Sequence, residues 1–259
     1  IGRRMTLEET EFAYEIKVRH IDDLEDFLSS KKDSLTVRDQ DSQVDELVEE
    51  STGDKDFLVW LSEARLIKDK FEIDEMQRAV DVTHRGFEDM IKAIPGAIGK
   101  KRGERLIEGS FFTRARYEGN DLGYDSIVAS GSHACILHWI KNDGELKNGD
   151  LILIDAGVEV ESLYTADITR TLPINGKFTP AQRKIYTLVY EAQKAGMEAV
   201  KPGAKFRDFH HAAMTVLAKG LEEMGVLPVS AEESLKADVG LHRRWTVHGT
   251  GHMLGMDVH

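Results

Sequence analysis

The sequence predicts an α+β fold over 259 residues, and three features carry that reading. Between Leu151 and Leu172, two apolar, β-branched runs flank a polar segment, Gly157 to Tyr164, which suits two antiparallel strands. Apolar residues recur at helical spacing over Phe71–Ile94, from Thr179 toward Pro202, and from Lys205 onward. The texture of the chain also changes near residue 70. That divides it into residues 1–70, the later part of a small α/β domain, and residues 71–259, a larger domain.

Composition narrows the function classes. The chain is 41% hydrophobic and 31% charged, as expected for a globular protein. Its net charge of -12 comes from 34 basic and 46 acidic residues, with no basic block beyond Lys100-Lys101-Arg102. That excludes a general nucleic-acid binder. The single cysteine, Cys135, excludes an internal disulfide and points to a reducing, cytoplasmic setting. No apolar run approaches the roughly 18 residues of a membrane span, so no membrane partner is expected.

In the first seventy residues, Phe12–Val18 and Ser34–Val37 read as strands, and Asp22–Leu28 and Val44–Val48 as short helices, with Asp22 or Asp23 capping the first. Ser51–Asp56 reads as a loop. From Phe71, positions Ile73, Met76, Val80 and Phe87 mark a long amphipathic helix that ends at Ile94, before Pro95-Gly96. Gly109–Tyr117 suits helix or strand. Ser126–Gly131 and Ala134–Trp139 read as strands about a Gly131-Ser132-His133 turn, and the Leu151–Leu172 hairpin follows. Thr179 caps the next helix, with Pro180 at its first position and Gln182 completing a capping box. A further helix from about Lys205 stops at Gly225.

The chemistry gathers in two places. Asp155 and Asp167 lie inside apolar runs, where an unpaired carboxylate costs several kcal/mol unless hydrogen-bonded or bound to metal. Three of the ten histidines, His248, His252 and His259, crowd the C-terminal segment. His248 and His252 have the spacing of a helical zinc motif. Gly249 stands where such a motif needs glutamate, however, and Gly251 and Gly255 argue against a helix. Singly, each histidine reads as structural or surface. Together with the two aspartates, they read as a mixed Asp/His site for Mn, Zn, Co or Fe(II). His138, at the end of an apolar run beside Trp139, is the next candidate, although taken alone it reads rather as a core histidine bonded to a backbone carbonyl. His133 is expected to be exposed, only one of His210 and His211 to face inward, and Arg170 to pair with a carboxylate.

Three motifs sharpen this reading. Leu-Ile-Asp-Ala-Gly at 153–157, Ala-Asp-Ile-Thr-Arg-Thr at 166–171, and His-Gly-x-x-His-x-x-Gly-x-Asp-Val-His at 248–259 resemble the pita-bread metallopeptidases. That family includes aminopeptidase P, prolidase and methionine aminopeptidase. The Ala-Cys-Ile-Leu-His run at 134–138 and the run at 175–183 look most like its Xaa-Pro aminopeptidase branch.

The resemblance spans about residues 58–259. It implies a pita-bread catalytic domain, two divalent metal ions (Mn, with Zn or Co as alternatives), and hydrolysis of peptides with proline in the second position. It further implies Asp155 as a terminal ligand, Asp167 as a bridge between ions, and His252 as a ligand to the second ion. His138, His248 and His259 become groups that hold substrate and stabilise developing charge. A homo-oligomer, dimer or tetramer, is implied as well. The family uses five metal ligands, and its last two are glutamates that would lie beyond His259. By the same resemblance, the native protein continues past that point, and this segment alone is inactive. Prolidase-type dipeptidase activity and a non-catalytic peptide-binding domain are the alternatives.

Overall fold

The computed structural model describes residues 4–31 and 34–258. The chain forms two compact units, Ile1–Lys68 and Asp69–His259.

The first unit is helical among its described residues: α1 (Leu7–Tyr14), α2 (Leu24–Ser29), α3 (Ser42–Leu47) and α4 (Asp54–Leu66). The strand expected at Phe12–Val18 is replaced by α1, because Thr6 and Glu9 close a capping box that nucleates it. Ser34–Val37 is not a strand either. The Thr36 N–H is taken by the Asp54 carboxylate at 3.1 Å, so no neighbouring strand satisfies it. The expected loop at Ser51–Asp56 gives way to α4 at Asp54. Asp23 makes no side-chain cap bond to α2; His20 caps the 3-10 turn before it.

Arg38 organises this unit. Its guanidinium meets Asp54 Oδ2 at 2.7 Å and donates to the Val48 carbonyl at 2.8 Å and the Glu49 carbonyl at 2.6 Å. The Arg38 hydrogen bond holds the Asp54 carboxyl below the ordinary carboxylate range, aided by the Thr36 and Ser51 amides.

In the second unit, α5 (Lys70–Ala97) and α6 (Gly103–Glu118) pack on a three-stranded antiparallel sheet. A two-residue strand β1 (Asp121–Leu122) pairs with β4 (Val158–Glu159) beside it. The sheet contains β2 (Ile127–Ser130), β3 (Leu151–Ala156) and β5 (Ile168–Pro173). The α5 helix extends through Pro95, one turn beyond the expected stop, and α6 resolves the ambiguity at Gly109–Tyr117 as helix.

Alternation along β3 decides where the chemistry lies. Ile152, Ile154 and Ala156 are fully buried and join Phe87, Met90 and Phe111 in the core. By period two, Asp155 therefore points to the opposite face. Burying an Ile or Phe side chain contributes roughly 1.5–3 kcal/mol, so the register of β3 is strongly set. The two helices approach closely at Gly86, where a Cβ would lie 2.5 Å from the Phe111 ring.

The second half of the unit holds α7 (Pro180–Ala199), α8 (Asp208–Glu223) and the short α9 (Ala231–Ser234). The Thr179–Gln182 capping box forms, and Gly225 takes φ 70° just past α8. Gly220 lets α8 meet Leu188 of α7, since a Cβ there would stand 2.3 Å from Leu188 Cδ1. His242, which carried no signal in the sequence, is buried, and its N–H donates to Ser234 Oγ at 2.8 Å.

Candidate metal centre

Asp155 occupies the centre of the sheet, opposite Ile127 on β2 and Thr169 on β5. Asp167 immediately precedes β5. The polar segment between them folds back, and the Ala166 N–H donates to the Val158 carbonyl at 3.1 Å. The hairpin thus brings both aspartates to one place.

They meet at a residue the sequence reading did not single out. The Tyr124 hydroxyl lies 2.6 Å from Asp155 Oδ1 and 2.9 Å from Asp167 Oδ1. One phenol proton cannot serve two carboxylate oxygens at once. Burial raises the Asp155 pKa, and the neighbouring Asp167 charge adds to it, against the lowering effect of the Tyr124 and Thr169 hydroxyls. Burial likewise pushes the Tyr124 hydroxyl far up, with the Asp155 and Asp167 charges adding, so it stays protonated.

His252 completes the group. Its Nε2 stands 3.0 Å from Asp167 Oδ2, and its Nδ1 lies 2.7 Å from the Met253 carbonyl. The Nδ1–H therefore donates to that carbonyl. In the neutral tautomer, the Nε2 lone pair faces a carboxylate oxygen, an arrangement that calls for a proton or a metal cation between them. The C-terminal segment is held there by short antiparallel contacts: the Thr165 N–H donates to the Gly255 carbonyl at 3.0 Å, and the Asp257 N–H to the Leu163 carbonyl at 3.2 Å.

Among the described residues, no three His, Cys, Asp or Glu side chains are already arranged to enclose an ion. The donor set nonetheless fits a divalent cation. Two carboxylates share one proton donor, and an imidazole presents its lone pair to one of them. Asp155, Asp167 and His252 are the residues that would hold it.

The other candidates are placed as follows. The His138 and His248 rings lie edge to face, with centroids 6.1 Å apart. His248 also lines a cavity of about 230 Å³ with His210, His242 and Met214. His259 lies outside the described residues. The expected strand at Ala134–Trp139 does not form. A 3-10 turn spans Gly131–Cys135, and His138 and Asn142 take φ 53° and 47°. The cause is the buried Glu104, which draws the polar groups of this loop onto itself. His133 is consequently not exposed as expected: it stacks on Trp139 at 3.9 Å and contacts Glu104. His211 is exposed and His210 partly buried, as their positions on one helix required. Arg170 donates to the Thr169 carbonyl at 2.7 Å rather than to a carboxylate.

Residues 74–259 match metallopeptidase family M24. The chain belongs to this family. It is 52% identical over its full length to Xaa-Pro aminopeptidase 1 of Streptomyces coelicolor, of which it covers 53%. It is 41% identical to the Xaa-Pro aminopeptidase of Haemophilus influenzae, over 83% of this chain and 50% of that one. Its fold superposes on Zn-substituted E. coli aminopeptidase P in complex with product at a TM-score of 0.84 and 28% identity. It covers 62% of that chain, and the same share of proline aminopeptidase P II from Yersinia pestis, at a TM-score of 0.84 and 30% identity. This M24 chain thus has the pita-bread fold and spans about half the length of the curated relatives it matches. Among the described residues, no helix is long and apolar enough to cross a membrane.

The sequence carried little signal for Tyr124 or Glu104. Tyr124 sits in an ordinary Gly-Tyr-Asp turn ahead of β2, and its meeting with the aspartates is made only by the sheet register. Glu104 lies in the first turn of α6, where acidic residues are common for dipole reasons alone.

Proposed function

We propose that the protein carrying this chain is a metal-dependent Xaa-Pro aminopeptidase that releases the first residue of a peptide whose second residue is proline. The observation that carries the reading is the run of contacts from Tyr124 through Asp155 and Asp167 to His252, in a chain of the M24 family. The names of the relatives supply the substrate class.

In this reading, Asp155 would be a ligand to one divalent ion, Asp167 a ligand shared with the second, and His252 a ligand to that second ion. Bound divalent ions, Mn in our assignment with Zn and Co accepting the same donors, supply an activated water and polarise the scissile carbonyl. Both aspartates act ionised, and the Tyr124 proton relieves their mutual repulsion. His252 acts as the neutral imidazole, with Nδ1–H fixed on the Met253 carbonyl so that Nε2 presents its lone pair beside Asp167. His138 and His248 hold the peptide and donate to the oxygen that gains charge as the amide carbon becomes tetrahedral; His259 shares that task. Residues 1–70 form a smaller N-terminal domain, and residues 71–259 belong to the catalytic domain. The protein works in the cytoplasm as a homo-oligomer, a dimer or tetramer.

The experiment is to incubate the native protein and Mn(II) with an Xaa-Pro-Yaa tripeptide and with the Xaa-Pro dipeptide. Release of the first residue from the tripeptide is the expected result. Cleavage of the dipeptide alone would make the protein a prolidase. Binding without cleavage of either, by metal-loaded protein, would make it a non-catalytic peptide-binding domain.

A further inference from the structure

Glu104 is a fully buried carboxylate that no step of the proposed reaction uses. Its Oε1 accepts from the Ser130 N–H and the Ser130 hydroxyl, each at 2.8 Å, and lies 2.9 Å from His133 Nδ1. Its Oε2 accepts from the Gly144 N–H at 2.7 Å and from Trp139 Nε1–H at 3.0 Å. Ser130 is the last residue of β2, and Gly144 closes the loop that follows. One oxygen therefore grips the entry of the loop, and the other grips its exit.

The grip is reinforced from both sides. The Glu104 N–H donates to the Gly144 carbonyl at 3.2 Å, and Arg105 donates to the Lys141 carbonyl at 3.1 Å. Buried Asn142 imitates a strand against β2, accepting from the Val128 N–H at 2.9 Å and donating to the Ser126 carbonyl at 2.8 Å. Every partner of the Glu104 oxygens donates or can donate, so the ionised acid is the matching form. A glutamine would turn its NH2 group toward donors on one side or the other.

His138 stands within this loop, exposed and with φ 53°. A left-handed backbone at a residue other than glycine is strained and persists only where its surroundings over-determine it. The Glu104 hub is what fixes the loop on both sides of His138, and it holds the ring near that of His248.

We propose that Glu104 is a positioning residue for His138, acting through the loop from Gly131 to Gly144. The inference rests on the substrate-contacting role given to His138 above. Glu104 touches neither Asp155, Asp167 nor His252, so its loss should leave metal loading intact while the reaction slows.

The test uses the native full-length enzyme, well below its melting temperature, with an Xaa-Pro-Yaa tripeptide and bound metal measured directly. Glu104→Gln should lower kcat about 10- to 100-fold, the scale expected when a catalytic group is misplaced by about an ångström, with metal content unchanged. The same change made in His138→Ala should add almost nothing, because the two act as one unit. Trp139→Phe keeps an aromatic ring to stack on His133 and removes one donor from Oε2. It should give a smaller kcat loss that also vanishes in the His138→Ala background, and it serves if Glu104→Gln does not fold. Losses that add to that of His138→Ala, loss of metal, or wild-type rates in both variants would overturn the proposal. An unsubstituted enzyme that holds metal yet leaves the tripeptide intact would instead overturn the aminopeptidase reading.

Discussion

His252 Nε2 lies 3.0 Å from Asp167 Oδ2, although 85 positions separate the two residues. The contact closes because the C-terminal segment pairs with the hairpin tip at Tyr164 and Met256. With Nδ1–H committed to the Met253 carbonyl, the imidazole offers Nε2 to a cation shared with the carboxylate. Asp167→Asn should therefore abolish metal binding by the native protein and lower peptidase activity by more than about a hundredfold. Metal content after dialysis and initial rates check this. An asparagine variant that stays metal-loaded and active at the wild-type rate would remove Asp167 from the centre.

Tyr124 leads to a prediction about pH. Burial raises the Asp155 pKa in the metal-free fold. A raised carboxyl binds its proton more tightly in the folded state than in the unfolded one. Its contribution to stability is present below the ordinary value of 3.8 and is lost as pH climbs through the raised folded value. In protein stripped by chelator, Asp155→Asn should remove this loss on the alkaline side of the window and so raise the urea midpoint near neutral pH. The same variant should gain no stability from added Mn(II). Tyr124→Phe should widen the window upward, since the hydroxyl's hydrogen bond opposes the rise, and should weaken metal binding about 10- to 100-fold. Denaturant midpoints against pH, with and without metal, read all three effects.

Much of this was legible in the chain, and the limit is instructive. The two antiparallel strands of the Leu151–Leu172 hairpin and the Thr179 capping box are written in local sequence patterns, and the fold reproduces them. Phe12–Val18 and Ala134–Trp139 misled because β-branched and aromatic runs favour strands only when a neighbouring edge accepts their backbone groups. The first had a stronger local nucleus in the Thr6–Glu9 box. In the second, the backbone turns back on itself, the Ile136 N–H donating to the His133 carbonyl and the Ile140 N–H to the His138 carbonyl, while Trp139 Nε1–H donates to Glu104. Tyr124 and Glu104 escaped notice because each acts on residues 26 or more positions away, through contacts that exist only once the sheet is registered.

Glu104 also sets an expectation for acid stability. Burial alone would raise its pKa, but hydrogen bonds from Trp139, Ser130, His133 and Gly144 outweigh it and leave the value below 4.5. A depressed carboxyl stabilises the fold above its unfolded pKa, and that stability is lost as pH falls through the folded value. Glu104→Ala leaves several buried donors without an acceptor and should cost about 3 kcal/mol at neutral pH. The difference from wild type should shrink in the acid range below pH 4.5, where the wild type gives up the same stability. Urea unfolding at neutral and acid pH measures it. A difference that does not change with pH would mean that the carboxylate charge is not what stabilises the loop.

Two glycines separate steric necessity from chance. At Gly157, between the aspartates, a Cβ would lie 1.5 Å from the Ala166 carbonyl oxygen, in rigid backbone next to Asp167. The two nearest atoms, the carbonyl oxygen and carbon of Ala166, are both backbone and cannot swing aside. Gly157→Ala must therefore push the two limbs of the hairpin apart, which should cost about 3 kcal/mol, the upper range for an overpacked core. Because the displaced backbone carries Asp155 on one limb and Asp167 on the other, metal affinity should fall along with stability. Gly109 is exposed within α6, and a Cβ there meets nothing within 4 Å. Gly109→Ala should stabilise by about 0.5–1 kcal/mol through helix propensity alone and leave metal binding untouched. Thermal melts and metal titrations of the two variants, made side by side, test this. Equal effects at the two positions would mean that the close approach at Gly157 does not shape the site.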